Sequence, residues 1–169
     1  MKKSVAVLGL GKFGSSVARA LTQGGAEVLA VDKNEDLVRE IADEVTCAVC
    51  VDVADKDMMN NIGLEGMDAV VIATAEHLDA SVMALMIVKE IGVPYVLAKA
   101  DGALKGEILK RVGADEVVYP EKQLASWTAI RCTSDNILDY IELDENYSIF
   151  ELSVPSEWTG KSILQLDIR

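Results

Sequence analysis

The 169 residues are half hydrophobic and carry a formal net charge of −12. That length suits one domain with a small appendage, and the apolar share supplies a full core, which excludes a disordered chain. The acidic balance excludes nucleic acid as a partner, and no stretch approaches the ~18 unbroken apolar residues of a membrane span.

Met1-Lys2-Lys3-Ser4 runs directly into a first apolar strand, Val5-Ala6-Val7-Leu8, which leaves no room for a signal peptide. Next comes Gly9-Leu10-Gly11-Lys12-Phe13-Gly14, a helix, and a second strand, Val28-Leu29-Ala30-Val31, that ends on Asp32. A glycine-rich hexapeptide alone is weak evidence. An acid 18 residues after its last glycine, at a strand end, makes the pattern strong. Gly9 allows the tight turn, Gly11 lets a phosphate approach the backbone, and Gly14 lets helix and strand pack closely. The helix N-terminus offers N–H groups and a partial positive charge to phosphates. Asp32 is suited to accept hydrogen bonds from a ribose diol. The pattern predicts a site for an adenine nucleotide.

Asn34 reads as the N-cap of a helix bearing Leu37, Val38 and Ile41 on one face. A third strand, Cys47–Val51, ends on Asp52 and Val53. Its Cys47-x-x-Cys50 reads as small residues of a buried strand, since a spacing of three puts the side chains on opposite faces. Three cysteines suggest no disulfide framework and fit a cytoplasmic location. A short helix from Asp55 through Ile62 precedes a wholly apolar fourth strand, Ala69–Ala73, suited to the centre of a parallel sheet. A long helix from about His77 to Ile91 offers Val82, Leu85, Met86 and Ile91 to that sheet, and Gly92-Val93-Pro94 ends it. A fifth strand (Tyr95–Ala98), a helix (about Ala103–Val112) and a sixth strand (Glu116–Tyr119) follow. This alternation implies an α/β fold with a Rossmann-like, doubly wound parallel sheet of about six strands, and ligand beyond the strands' C-terminal ends.

Beyond Pro120 the rhythm changes. Glu121–Cys132 reads as one more helix, Asn136–Leu143 is ambiguous between helix and strand, and Asp144-Glu145-Asn146 reads as a turn. The alternating Tyr147–Leu152 then favours a hairpin. Trp158–Leu164 reads as a turn into a short helix. These last residues are too few for a core of their own and look like the opening of a second domain cut short.

Beside Asp32, several residues stand where a nucleotide would lie. Lys33 is placed to border the adenine, with a solvated loop lysine as the plainer alternative. Asp52 is placed to accept from the adenine amine, with a solvated acid as its alternative, and Val53 beside it is a further candidate contact to the nucleotide. Ala73-Thr74-Ala75 would wall the ribose and phosphates. Lys99, closing strand five, either faces phosphate or is solvated. His77 reads as a surface residue opening its helix. No arginine follows Asp32 to receive a 2′-phosphate, which disfavours NADP. Tyr95-x-x-x-Lys99 spells the acid–base pair of short-chain dehydrogenases. That chemistry needs a helix, whereas a strand would hold the two residues roughly 13 Å apart. No catalytic group is expected.

The chain resembles the RCK (TrkA-N type) proteins, cytoplasmic regulators of bacterial Trk/Ktr potassium uptake systems. The likeness rests on Gly9–Gly14, Val28–Asp32, Gly92-Val93-Pro94, Ala98-Lys99-Ala100, and above all Val112-Gly113-Ala114-Asp115-Glu116-Val117 followed by Tyr119-Pro120-Glu121. Tyr147-Ser148-Ile149 through Gly160-Lys161-Ser162 resembles the start of the family's C-terminal lobe. The resemblance implies a nucleotide-binding lobe at residues 1–119, a crossover helix and linker at 120–143, and a truncated second lobe at 144–169. It implies a homodimer assembling into a ring, often of eight lobes. Such a ring would lie peripherally at the inner face of the membrane through a potassium channel or transporter subunit. ATP, ADP or NAD(H) would alter the ring's shape and so the gating, without catalysis. Glu121 would bring a carboxylate, with a divalent cation, towards the partner's nucleotide phosphates. Lys12 stands where many relatives carry arginine, and lacks its planar fork for a terminal phosphate. The truncation leaves out any second-ligand site, such as the cyclic-di-AMP site of some relatives. An NAD-dependent oxidoreductase and a regulator of another cation transporter are the alternative expectations.

Overall fold

The computed structural model describes residues 2–74, 77–134, 136–143 and 147–167. Its contacts divide the chain into two units, residues 1–120 and 121–169.

In the first unit, strands and helices alternate without a break. They are β1 (Ser4–Leu8), α1 (Lys12–Gln23), β2 (Glu27–Asp32), α2 (Glu35–Ile41), β3 (Cys47–Cys50), α3 (Lys56–Met59), β4 (Ala69–Ile72), α4 (Leu78–Ile91), β5 (Val96–Lys99), α5 (Ala103–Val112) and β6 (Glu116–Val118). All six strands are parallel, in the order β3-β2-β1-β4-β5-β6. The chain winds outward from β1 in one direction, returns, and winds outward from β4 in the other. The two halves meet between β1 and β4, which is where a doubly wound sheet opens a crevice at its C-terminal edge.

Alternation along each strand sends side chains to two cores, one on each face of the sheet. Ala6 and Leu8 join Val31, Ile72 and Val96 on one face, where α4 contributes Leu85 and Val88. Val5 and Val7 join Val28, Ala30 and Val71 on the other, where α1 and α2 contribute Ala18 and Ile41.

Helix ends follow local chemistry. Asn34 accepts from the Asp36 amide at 2.9 Å and caps α2, as its sequence position predicts. Asp55 caps α3 through Met58, so Asp55 lies outside a helix only four residues long. Gly92 ends α4 in the left-handed conformation, φ 92°.

Two expectations about burial are corrected. Cys47 and Cys50 are exposed rather than core, because β3 pairs with β2 alone and forms the sheet edge. Met86 is 55% exposed, whereas the other residues expected on that face, Val82, Leu85 and Ile91, do pack into the core, joined there by Ala84, Ile87 and Val88.

The second unit holds α6 (Pro120–Thr133, whose first residue closes the first unit), β7 (Ile137–Glu142) and β8 (Ser148–Leu152). Pro120 opens α6 where a helix tolerates a missing N–H. β7 and β8 pair antiparallel, which settles the ambiguous segment as strand, and Tyr140 stacks on Phe150 with ring centroids 5.7 Å apart. Trp127 of α6 donates to Asp139 at 3.0 Å and carries Arg131 over its ring. Two short 3-10 turns follow, Ser156–Trp158 and Ile163–Leu166. The expected turn at residues 144–146 lies outside the described residues.

Candidate functional site

The loop from β1 into α1 is built by close approaches that side chains would forbid. Gly9 turns at φ 97°, and a Cβ there would lie 2.7 Å from Thr74 Cγ2. At Gly14 a Cβ would lie 1.8 Å from the Gly9 carbonyl oxygen, so this glycine lets the helix's first turn sit on the loop that precedes it. Gly11 differs. It is the N-cap of α1 with φ −61°, and a Cβ there would meet nothing within 4 Å. The space over Gly11 is open, as close approach of a ligand requires.

α1 receives no side-chain cap and has no acid in its first turn, whereas α2 and α3 have both. Its first-turn amides and the positive end of its dipole are therefore left for another acceptor. Lys12, exposed in that turn, adds the one full positive charge of the loop.

Asp32 is half-buried at the end of β2, beside this turn. Its Oδ2 accepts from the Leu10 amide at 2.6 Å and its Oδ1 from the Asn34 amide at 2.8 Å. The carboxylate thus braces the glycine turn and the entry to α2, a structural role that the sequence pattern does not reveal. Each oxygen keeps a lone pair for a ribose hydroxyl.

On the other side of the switch point, the Ala73 amide donates to the Leu8 carbonyl at 2.7 Å, which places Ala73 and Thr74 against the glycine turn. Ala75 lies outside the described residues. Lys99 sets its ammonium 5.5 Å from the centre of the Phe13 ring, joining the end of β5 to the first turn of α1. Phe13 itself packs against the core on the α1 face. The structure therefore gathers Gly9, Gly11, Lys12, Phe13, Gly14, Asp32, Ala73, Thr74 and Lys99 at the C-terminal edge around β1, β2, β4 and β5.

Lys33 is exposed, and its carbonyl accepts from the Cys50 thiol at 3.5 Å. Asp52 is exposed and caps its own turn, accepting from the Ala54 amide at 3.0 Å. The Val53 side chain is buried in the core, so only its backbone remains for a ligand. Next to them, a concavity of about 370 Å³ is lined by Val51, Asp57, Met58, Asn61 and Ile62, none of them a predicted site residue. Glu121 stands exposed in the first turn of α6, in the second unit. Among the described residues no cluster of three His, Cys, Asp or Glu side chains gathers to hold a metal.

Tyr95 immediately precedes β5 and Lys99 closes it, so the two lie along extended chain rather than on a helix. Tyr95 donates to the Glu116 carboxylate, whose hydrogen bond, with lesser desolvation, holds the phenol above its ordinary range. His77 is the exposed N-cap of α4.

The residue sequence reasoning missed is Ser81. It is 1% exposed, with its hydroxyl 3.0 Å from that of Thr74 and 2.9 Å from the Thr74 carbonyl. A small polar residue on an otherwise apolar helix face was the available signal.

Residues 5–120 match the TrkA-N domain model. The chain belongs to the TrkA-N family. Over all 169 residues it is 41% identical to Ktr system potassium uptake protein C of Bacillus subtilis (strain 168), of which it covers 76%. Among solved structures, it resembles the NAD(P)-binding domain of an exopolyphosphatase-related protein from Archaeoglobus fulgidus at 25% identity and a TM-score of 0.67, over 78% of this chain and 98% of that one. GsuK bound to ADP shares the fold at 16% identity and a TM-score of 0.67, over 79% of this chain and 35% of that one. Among the described residues no helix is long and apolar enough to cross a membrane.

Proposed function

We propose that this TrkA-N chain is a nucleotide-sensing regulatory subunit of a potassium uptake system and carries out no chemistry on its ligand. The observation that carries the proposal is the open backbone over Gly11, at an uncapped α1 braced by Asp32. Kinship with a Ktr potassium uptake protein supplies the transport context.

ATP or ADP is the proposed ligand, with NAD(H) as the alternative. The phosphates would lie over Gly11 and the first-turn amides of α1, with Lys12 towards the terminal phosphate. The ribose would meet Asp32. Glu121 of a second copy, with a divalent cation, would complete the phosphate end in a homodimer. The dimers would assemble into a ring, proposed as eight lobes, docked at the cytoplasmic face of a membrane transporter subunit. Support for self-association comes from exposed Met83 and Met86 on α4 and Leu104 on the neighbouring α5. Nucleotides would gate the transporter only through different affinities for two ring conformations.

The deciding experiment is a thermal-shift series with ATP, ADP, AMP, NAD and NADH. Stabilisation by at least one adenine nucleotide is expected, and the absence of any shift overturns the reading. Because Asp32 also braces the fold, Gly11→Ala rather than Asp32→Ala is the informative control.

A further inference from the structure

We propose that Ser81 is a positioning residue for the phosphate end of the nucleotide site, an inference that rests on the nucleotide reading above. Among the described residues it is the one buried polar side chain. A hydroxyl there costs free energy unless its hydrogen bonds are made. It makes them to a residue that touches the glycine turn rather than to its own helix alone. The Ser81 hydroxyl lies within donating distance of the Thr74 carbonyl, at 2.9 Å, and of the His77 carbonyl, at 3.1 Å. Thr74 Oγ1 lies 3.0 Å from Ser81 Oγ, so the two hydroxyls form a closed pair when Thr74 donates to Ser81 and Ser81 to the Thr74 carbonyl.

This pairing fixes which way Thr74 faces. With its hydroxyl held by Ser81, its methyl is turned onto Gly9, 2.7 Å from where a Cβ would stand. Gly9 in turn offers its carbonyl to the underside of Gly14, in the first turn of α1. A chain of three contacts thus runs from α4 through Thr74 to the backbone that would hold phosphate. Ser81 touches no ligand in this arrangement. It sets the separation between the end of β4 and the glycine turn, and it is also the link by which a ligand at α1 would load α4.

The test is titration calorimetry of the full chain with ATP and with adenosine, on the wild type, Ser81→Ala, Thr74→Val and the double variant. Thr74→Val is included because it keeps the methyl contact at a half-buried site and so remains informative where Ser81→Ala fails to fold. Either single variant is expected to weaken ATP by about fivefold, the size of one net hydrogen bond, while adenosine affinity stays within about twofold. The double variant is expected to lose no more than the single ones. Unchanged ATP affinity, or an equal loss for ATP and adenosine, overturns the positioning role while the nucleotide reading stands. A wild type that binds neither ligand overturns the positioning role, and one that also shows no shift with any nucleotide of the thermal series overturns the nucleotide reading as well.

Discussion

The Asp32 carboxylate and the Leu10 amide are joined across 22 residues of chain by a 2.6 Å hydrogen bond, which fastens the tip of β2 to the glycine turn after β1. The same carboxylate holds the Asn34 amide, so one side chain serves two loops. Asp32→Ala leaves both amides without their acceptor, and the cost of such a loss is about 1–3 kcal/mol. Asp32→Asn can present only one oxygen and should recover part of this. Chemical denaturation without ligand is the measurement. Equal stability of Asp32→Ala and wild type would show that the brace contributes nothing to the fold.

Gly11 and Gly14 have opposite surroundings, and alanine should separate their roles. At Gly14 the new methyl would meet the Gly9 carbonyl at 1.8 Å, which only a displaced turn relieves. Gly14→Ala is therefore expected to lose about 1–3 kcal/mol of stability, the usual cost of overpacking. At Gly11 the methyl enters open space on a backbone that alanine adopts freely, φ −61°. Gly11→Ala should melt within about 2 °C of wild type, yet lose most of the shift that nucleotide induces. A Gly11→Ala protein that still responds fully to ATP would remove the phosphate from this turn.

What was legible in the chain was what local pattern encodes. The apolar runs, the glycine turn, the acid ending β2 and the Asn34 cap each depend on neighbours within a few residues. The edge position of β3 was not legible, because Thr46–Val51 is as apolar as a central strand and only the strand order exposes Cys47 and Cys50. Asn136–Leu143 could not be settled alone, since pairing with β8 decides it. The brace at Asp32 and the Ser81–Thr74 pair are side-chain contacts across loops and elements, which no periodicity announces.

Asp115 gives the fold an acid-sensitive contact. Its Oδ2 accepts from Lys89 at 3.0 Å and from the Val96 amide at 2.7 Å, and these bonds, the lysine's foremost, hold its carboxyl below the usual range. A carboxyl depressed in the folded state stabilises the protein above its unfolded value of about 4, and that contribution fades as pH falls through the lower folded value. Asp115→Asn keeps an acceptor for Val96 but loses the charge facing Lys89. Its stability deficit should be clear at pH 7 and smaller at a pH below the carboxyl's lowered folded value. A deficit that is the same at both pH values would assign the effect to packing instead of charge. The pair is about a third exposed, so added salt should also reduce the deficit.

Gly106 and Tyr119 offer a reversal of sign. Gly106 is buried within α5, and a Cβ there would lie 1.9 Å from the Tyr119 hydroxyl oxygen and 2.7 Å from its Cζ, so the phenol ring is seated on the bare helix backbone. Glycine inside a helix costs up to about 1 kcal/mol relative to alanine, because it loses more backbone freedom on folding. Here the seat for Tyr119 offsets that cost, since an alanine methyl would push the ring out. Gly106→Ala should therefore destabilise the wild type by about 1–3 kcal/mol. With Tyr119→Ala in place the obstruction is gone, and the same Gly106→Ala change should stabilise the protein by up to about 1 kcal/mol. The four proteins of this cycle, compared by chemical denaturation, isolate the coupling between the two sites. If Gly106→Ala has the same sign in both backgrounds, Tyr119 is not what keeps this helix position free of a side chain.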